Sequence, residues 1–451
     1  MTVEFAALWR ALTGDRSPEV RFTGPESALP GRYRVTTAAA AVVAATTSAA
    51  AELLRLRGIA PGPVAVDTHA AVAGFASERF LRVGGKTPGE TWAPLSGNYR
   101  ASDGWVRLHC NYPHHAEAAC RALAVAPERA DRPALERAVA RLGALQVQES
   151  VIAEGGAAAA MRSGAGWLRH PQGDAVARQP LMELSPIAPA PRRRVPESSG
   201  TPLGGVRVLE LTHVIAGPVA GRTLAAHGAD VLHLGAAHLP AVGPLVIDTG
   251  MGKRSAFVDL RTAEGRERLW RLVTDADVLV RSFRPGAFDR LGFTLPRLAQ
   301  ASPGLVVVDL SAYGWAGPWA GRRGFDSLVQ LACGIAHEDG ADAPRPLPVQ
   351  ALDHATGWFA ACAAMLGLWR RATEGGSWHA RLALAHTARW LDQLGRQPDE
   401  SVEFDAEHLL RRTESGFGTL THVPVPGTLP AAPPHWRWGT PKPGSSAPAW
   451  W

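Results

Sequence analysis

From residue 206 onward, short apolar runs alternate with helical patterns. Val206–Leu211 is a near-continuous apolar run of strand length, Pro218–His227 has helical spacing, and Asp230–Leu234 is a second strand, joined by short loops. Together they form a βαβ unit. The alternation continues through a strand at Ser255–Leu260, a helix at Thr262–Thr274 with an acidic first turn, and strands at Val278–Val280 and Leu305–Leu310. An α/β fold with a doubly wound, Rossmann-like parallel sheet is predicted for this region.

The pattern also divides the chain. Pro186–Pro202 is rich in Pro and Ser without apolar periodicity, and reads as an extended linker. The expected organisation is a smaller α/β domain over 1–185, a linker over 186–203, the main sheet domain over 204–395, and a Pro/Trp-rich wrap over 396–451 with little regular structure from about Gly416. The Trp residues of that wrap are expected to act as anchors. One internal repeat crosses these boundaries: Ala49–Phe75 and Ala364–Leu391 share a plan of Ala-rich helix, basic end, Gly/Pro or Gly-rich loop, strand and helix. The ungapped register matches Arg55 with Arg371 and, carried backward, Thr37 with Asp353.

Composition narrows the class. Of 451 residues, 46% are hydrophobic and 20% charged, which suits a folded multidomain chain. The four cysteines are scattered, so a disulfide framework is not expected and a reducing cytoplasm fits. Charges interrupt the first apolar stretch of Met1–Arg16, unlike a signal peptide. Thr36–Ala51 is mostly Ala and Thr and falls short of the roughly 20 strongly apolar residues of a membrane span. The net charge of +6 is carried mostly by Arg spread among acidic residues, which argues against a nucleic-acid surface and suits a phosphorylated small molecule.

Common catalytic signatures are missing. No G-x-G-x-x-G follows Val206, and Gly250-Met-Gly-Lys-Arg254 lacks the remaining P-loop residues. Metal-ligand spacing is absent, and the neighbours His114 and His115 are expected to point apart. Carboxylates at helix starts remain. Asp353 precedes the apolar helix Trp358–Trp369, at or near its N-cap, where unpaired amides would favour an ionised nucleophile; a plain capping role is the alternative. Gly357 would leave room for substrate against the backbone. Asp326 is a second carboxylate of this kind. Lys253, one of three lysines, sits in a Gly-rich turn suited to phosphate or simply to solvent. Arg281, Arg284 and Arg290 flank Phe283-Arg-Pro-Gly286 at the expected ligand-binding edge of the sheet.

In order, these blocks resemble the family III CoA-transferases, which include formyl-CoA transferase, carnitine CoA-transferase and α-methylacyl-CoA racemase. The matching blocks run from Gly205-Val-Arg-Val-Leu-Glu-Leu-Thr-His213 and Leu224-Ala-Ala-His-Gly-Ala-Asp230 through Gly252-Lys-Arg-Ser255 and Phe283-Arg-Pro-Gly286. They end with Gly314-Trp-Ala-Gly-Pro318, Gly324-Phe-Asp326 and Leu352-Asp353-His-Ala-Thr-Gly357.

The resemblance implies that Asp353 attacks an acyl-CoA thioester, passing through an aspartyl anhydride and an aspartyl-CoA thioester before CoA reaches an acceptor acid. It implies CoA contacts at His213, Lys253, Phe283 and Arg290, with Asp326 supporting the acyl site. Acyl-CoA and a carboxylic acid are then substrates, no cofactor is permanently bound, and a homodimer is expected. The racemase branch has a His immediately before the Asp326 position, where this chain has Phe325, so transferase outranks racemase. Leu234-Gly235-Ala236 stands where family members have a Glu and a basic residue, and Ile215 replaces a Gln of the formyl-CoA branch. Residues 36–185 resemble the family's later half placed first, with Thr37 where the nucleophile would be. That degenerate copy motivates a third reading, a catalytically silent CoA-binding subunit.

Overall fold

The computed structural model describes residues 1–196, 200–338, 341–400 and 404–451. Its centre is a seven-stranded sheet ordered Arg254–Phe257, Asp230–Gly235, Arg207–Leu211, Val278–Arg281, Val306–Ser311, Ser377–Ala383 and Met182–Ala188. The first six strands are parallel. Numbered along the chain from Arg207, they run 3-2-1-4-5-6, the doubly wound order with a switch point between Arg207–Leu211 and Val278–Arg281.

Side-chain alternation sets the layers. Val208, Val280 and Val308 face helices Ala216–Ala226 and Ala351–Thr373, whereas Leu209, Leu279 and Val307 face Ala263–Thr274 and Leu295–Ala301. Residues buried on both faces explain why the strands read as unbroken apolar runs.

The seventh strand revises the linker. Met182–Ala188 pairs antiparallel with Ser377–Ala383, so the sequence-based linker starts inside the sheet, and the leading segment completes the main sheet's edge. Pro186 is accommodated because this is an edge strand, where a missing ladder donor is tolerated. The C-terminal wrap also holds more regular structure than expected. Arg411–Ser415 and Gly418–His422 form a hairpin that pairs with Arg82–Val83. Beyond it, Trp436, Trp438 and Trp450 donate indole N–H bonds to the carbonyls of Arg222, Lys253 and Leu272. Those Trp residues are anchors, with an apolar body and one satisfied donor.

The repeat is present in three dimensions. Val35–Leu56, Val64–Asp67 and Thr68–Phe75 reproduce the helix, strand and helix of Ala351–Thr373, Ser377–Ala383 and Leu384–Gln393. The ungapped register aligns Val35 with Ala351, Thr37 with Asp353 and Thr68 with Leu384. The two long helices pack on each other, with Thr46 donating to the Trp358 carbonyl and the Cys362 thiol lying against the Ala45 carbonyl. Val35–Leu56 is long and apolar enough to cross a membrane, yet 94% of its apolar window is buried within the fold. Its Ala-rich surface is used for close helix contact. Thr37 is fully buried, with no partner for its hydroxyl.

A smaller α/β body completes the leading segment. Gly97–Arg100, Trp105–Leu108 and Ala158–Ala160 form an antiparallel sheet backed by Pro113–Ala122, Arg132–Val139 and Ala144–Ala153. Its apolar side is led by Tyr99, Val106 and Leu108, each fully buried.

Gly357 has a packing role, contrary to the expectation of substrate space. A Cβ there would lie 2.5 Å from the Ala216 carbonyl oxygen and 2.8 Å from Val219 Cβ. Gly357→Ala is therefore expected to destabilise the fold by about 1–3 kcal/mol despite the better helix propensity of Ala. A urea unfolding curve checks this through a lower midpoint.

Candidate active site at the sheet switch point

Two helix starts converge beyond the carboxyl ends of the central strands. Asp353 lies in the first turn of Ala351–Thr373, and Asp326 opens Asp326–Ala332. Gln350, the N-cap of the long helix, makes no side-chain cap. Asp326 supplies the missing acceptor instead: its Oδ2 receives the Asp353 amide at 2.9 Å, while Gln330 holds Oδ1. Asp353 is therefore spared the capping role. Its carboxylate is 7% exposed, makes no side-chain hydrogen bond, and faces a cavity of about 450 Å³.

Electrostatics here reverse the sequence expectation. Burial, then the charges of Asp326 and Glu78, push the Asp353 carboxyl well above the usual range. Burial also raises Asp326, against the amide and Gln330 hydrogen bonds that favour its ionised form. The helix terminus favours the Asp353 anion, but only by about a kcal/mol in ordinary cases, and desolvation with two nearby carboxylates outweighs it. Glu78 comes from the leading segment and pairs with His354 Nε2 at 3.2 Å.

The leading segment also builds one wall. Tyr112, His114 and His115 line the Asp353 cavity with Phe283, Arg284, Arg323, Phe325 and Leu384. His109 stacks on Phe325 at 3.6 Å between centroids and 1° between planes. His114 and His115, expected to point apart, face the same cavity with their rings 4.2 Å apart. Proline at the first position of Pro113–Ala122 starts the helix there and fixes both His residues in its first turn. Sequence reading registered the His pair only as a failed metal motif, and it overlooked Tyr112 and Glu78. Among the described residues, no group of three His, Cys, Asp or Glu could hold a metal ion.

An adjoining slot of about 200 Å³ runs beneath Thr440–Pro443 and shares Tyr112, His213, Val214 and Leu239 with the Asp353 cavity. His213 stands exposed at the junction, and Phe283 stacks on Phe288 at 5.0 Å beside it. Val214, at φ 69°, bends the chain between strand and helix; this is a strained geometry for a β-branched residue.

Lys253 lines the slot but differs from the open turn cation that was anticipated. It is 3% exposed, with Nζ 2.6 Å from Glu210 and 2.7 Å from the Pro218 carbonyl. Burial lowers its pKa while Glu210 opposes the shift. For Glu210, burial alone would raise the pKa, but Lys253 and His233 bring it down to about 2. The pair fits beneath Gly221, where a Cβ would fall 1.8 Å from Glu210 Oε2. Arg290 is exposed at the end of the short helix Ala287–Arg290 and lines neither cavity. Gly235 and Ala236, the departures noted in the sequence, line the slot.

Part of the chain is similar to known proteins. Residues 203–396 match the model of CoA-transferase family III. The chain is 33% identical over 228 residues to the acetyl-coenzyme A transferase nodX of Hypoxylon pulicicidum, covering 49% of this chain and 38% of that protein. It is 32% identical over 197 residues to formyl-CoA:oxalate CoA-transferase of Streptomyces coelicolor, covering 41% and 48%. The crystal structure of a hypothetical protein from Mycobacterium tuberculosis superposes with a TM-score of 0.40 at 32% identity, covering 43% of this chain and 58% of that one. The chain thus spans about half the length, or less, of the curated relatives it matches. The matched segment, which is similar to CoA-transferase family III, holds six sheet strands, Asp326 and Asp353.

Proposed function

We propose that this protein transfers CoA from an acyl-CoA donor to a carboxylic acid through Asp353. The observation that carries the reading is an unpartnered carboxylate in the first turn of a buried helix, facing a cavity of about 450 Å³ at the sheet switch point. Asp353 Oδ attacks the thioester carbonyl carbon, the C–S bond breaks, and CoA thiolate leaves an aspartyl anhydride. The thiolate then attacks the aspartyl carbonyl, giving aspartyl-CoA and releasing the donor acid. The acceptor carboxylate repeats the steps in reverse.

In this reading the acyl group occupies the Asp353 cavity and CoA leads out past His213 and Phe283 through the slot. Lys253 holds the slot floor with Glu210, Asp326 positions the Asp353 turn, and Arg290 meets CoA from the rim. The printed name of one relative, formyl-CoA:oxalate CoA-transferase, fits a small acid as acceptor. A homodimer in the cytoplasm completes the proposal; the four cysteines are free, as a reducing compartment requires.

Intact-protein mass spectrometry after incubation with an acyl-CoA panel, with hydroxylamine or borohydride trapping, tests this. The expected result is an adduct mapping to Asp353, with its mass naming the donor. Tight acyl-CoA binding without adduct would leave a silent subunit, and solvent deuterium at the α-carbon without any acceptor acid would point to racemisation.

A further inference from the structure

We propose that His115, supplied by the leading segment, is a catalytic hydrogen-bond donor to the oxyanion formed when Asp353 attacks the thioester. The inference rests on the transferase reading of Asp353 and adds a residue from outside the family segment 203–396.

Geometry carries it. His115 is 2% exposed and lines the same cavity as Asp353. Its Nδ1 is buried without a hydrogen-bond partner, an arrangement that is unfavourable unless something fills it. The ring is held on several sides: Tyr112 lies 5.4 Å away edge-on, His114 4.2 Å, and Phe325 5.8 Å. Phe325 is itself stacked on His109 and immediately precedes Asp326, so the imidazole is fixed relative to the two carboxylates. A polar ring packed this firmly, lining the cavity and holding a buried nitrogen without a partner, is preorganised for a group that arrives with substrate.

Its protonation state decides the role. Burial, then the charges of His114 and Arg323, lower the His115 pKa to about 4. The ring is neutral at physiological pH, so it is a poor base, yet it always carries one N–H. The chemistry needs that donor and no proton transfer. As the Asp353 oxygen bonds to the thioester carbon, the carbonyl π pair moves to oxygen, where the His115 N–H stabilises it. Collapse re-forms the carbonyl and expels CoA thiolate, and His115 ends as it began.

The test is single-turnover formation of the Asp353 adduct, read by quenched-flow mass spectrometry at saturating acyl-CoA. His115→Phe retains a ring without a donor, and His115→Gln retains an amide N–H. We expect His115→Phe to slow adduct formation by about 10²-fold or more, with acyl-CoA affinity changed less than threefold. Gln should recover at least tenfold of the loss, an outcome that a purely structural role would not produce. A loss below tenfold in His115→Phe, or no recovery with Gln in a folded variant, overturns the proposal while leaving Asp353 as nucleophile. Absence of any adduct in the unaltered protein would overturn both.

Discussion

Asp353→Asn is expected to lower CoA exchange by at least about 10³-fold and, in the same protein, to raise stability above neutral pH. The first effect follows because an amide is no substitute for the attacking carboxylate. The second follows from the surroundings: burial first, then Asp326 and Glu78, raise the Asp353 pKa in the folded state. A raised carboxyl pKa gives stability that is fully present below the unfolded value near 4 and lost as pH rises through the folded value. Asn has no such loss. Urea midpoints for the two proteins should coincide near pH 4 and separate in favour of the variant toward pH 8. Equal midpoints throughout would show that the carboxylate is not strained as an anion.

In the proposed reaction this strain would have a catalytic use. Attack on a thioester would turn the Asp353 anion into a neutral acyl derivative, relieving its repulsion with Asp326 and Glu78 as the bond forms. The same field fixes the pH profile: kcat/KM should rise with pH as Asp353 ionises. In Asp326→Asn the amide oxygen still accepts from the Asp353 backbone N–H, but one negative charge is gone, so the acidic limb should move to lower pH. A limb that stays in place would assign the titration to another group.

Much of this arrangement was legible in the sequence because local signals coded it. Apolar runs pointed to five of the six parallel strands to within a few residues, and the repeat, in an ungapped register, located the sixth with its flanking helices and set Thr37 opposite Asp353. What could not be read depends on distant partners. The anionic environment of Asp353 needs Glu78, far upstream, and Asp326, which caps the Asp353 turn in place of Gln350. Tyr112, His114 and His115 reach the cavity only because the small sheet packs its His109 on Phe325. Met182–Ala188 looked like linker because its partner, Ser377–Ala383, lies at the other end of the sheet domain. Helix-end rules apply to isolated helices; here tertiary burial decides.

Lys253→Met should destabilise the protein by about 3–5 kcal/mol, since it leaves Glu210 buried without its counter-charge. Thr212 at 2.7 Å and His233 at 3.1 Å remain as partners, but both meet Oε1, whereas Lys253 meets Oε2. Acid should narrow the gap between the two proteins. In the unaltered protein Glu210 titrates at about 2, so its contribution is complete above the unfolded value near 4.3 and is lost as pH falls through 2. Without Lys253, burial dominates and Glu210 takes up a proton, which makes the variant least stable at neutral pH and relatively better near pH 4. Replacing both residues, as Glu210→Leu with Lys253→Met, removes the buried charges together and should return most of the lost stability. Chemical denaturation of the three variants at pH 4 and 7 separates these effects. If the double variant restores stability but not acyl-CoA binding, the pair holds the slot open for CoA; if the single variant is as stable as the unaltered protein, Lys253 is not the buried counter-charge of Glu210.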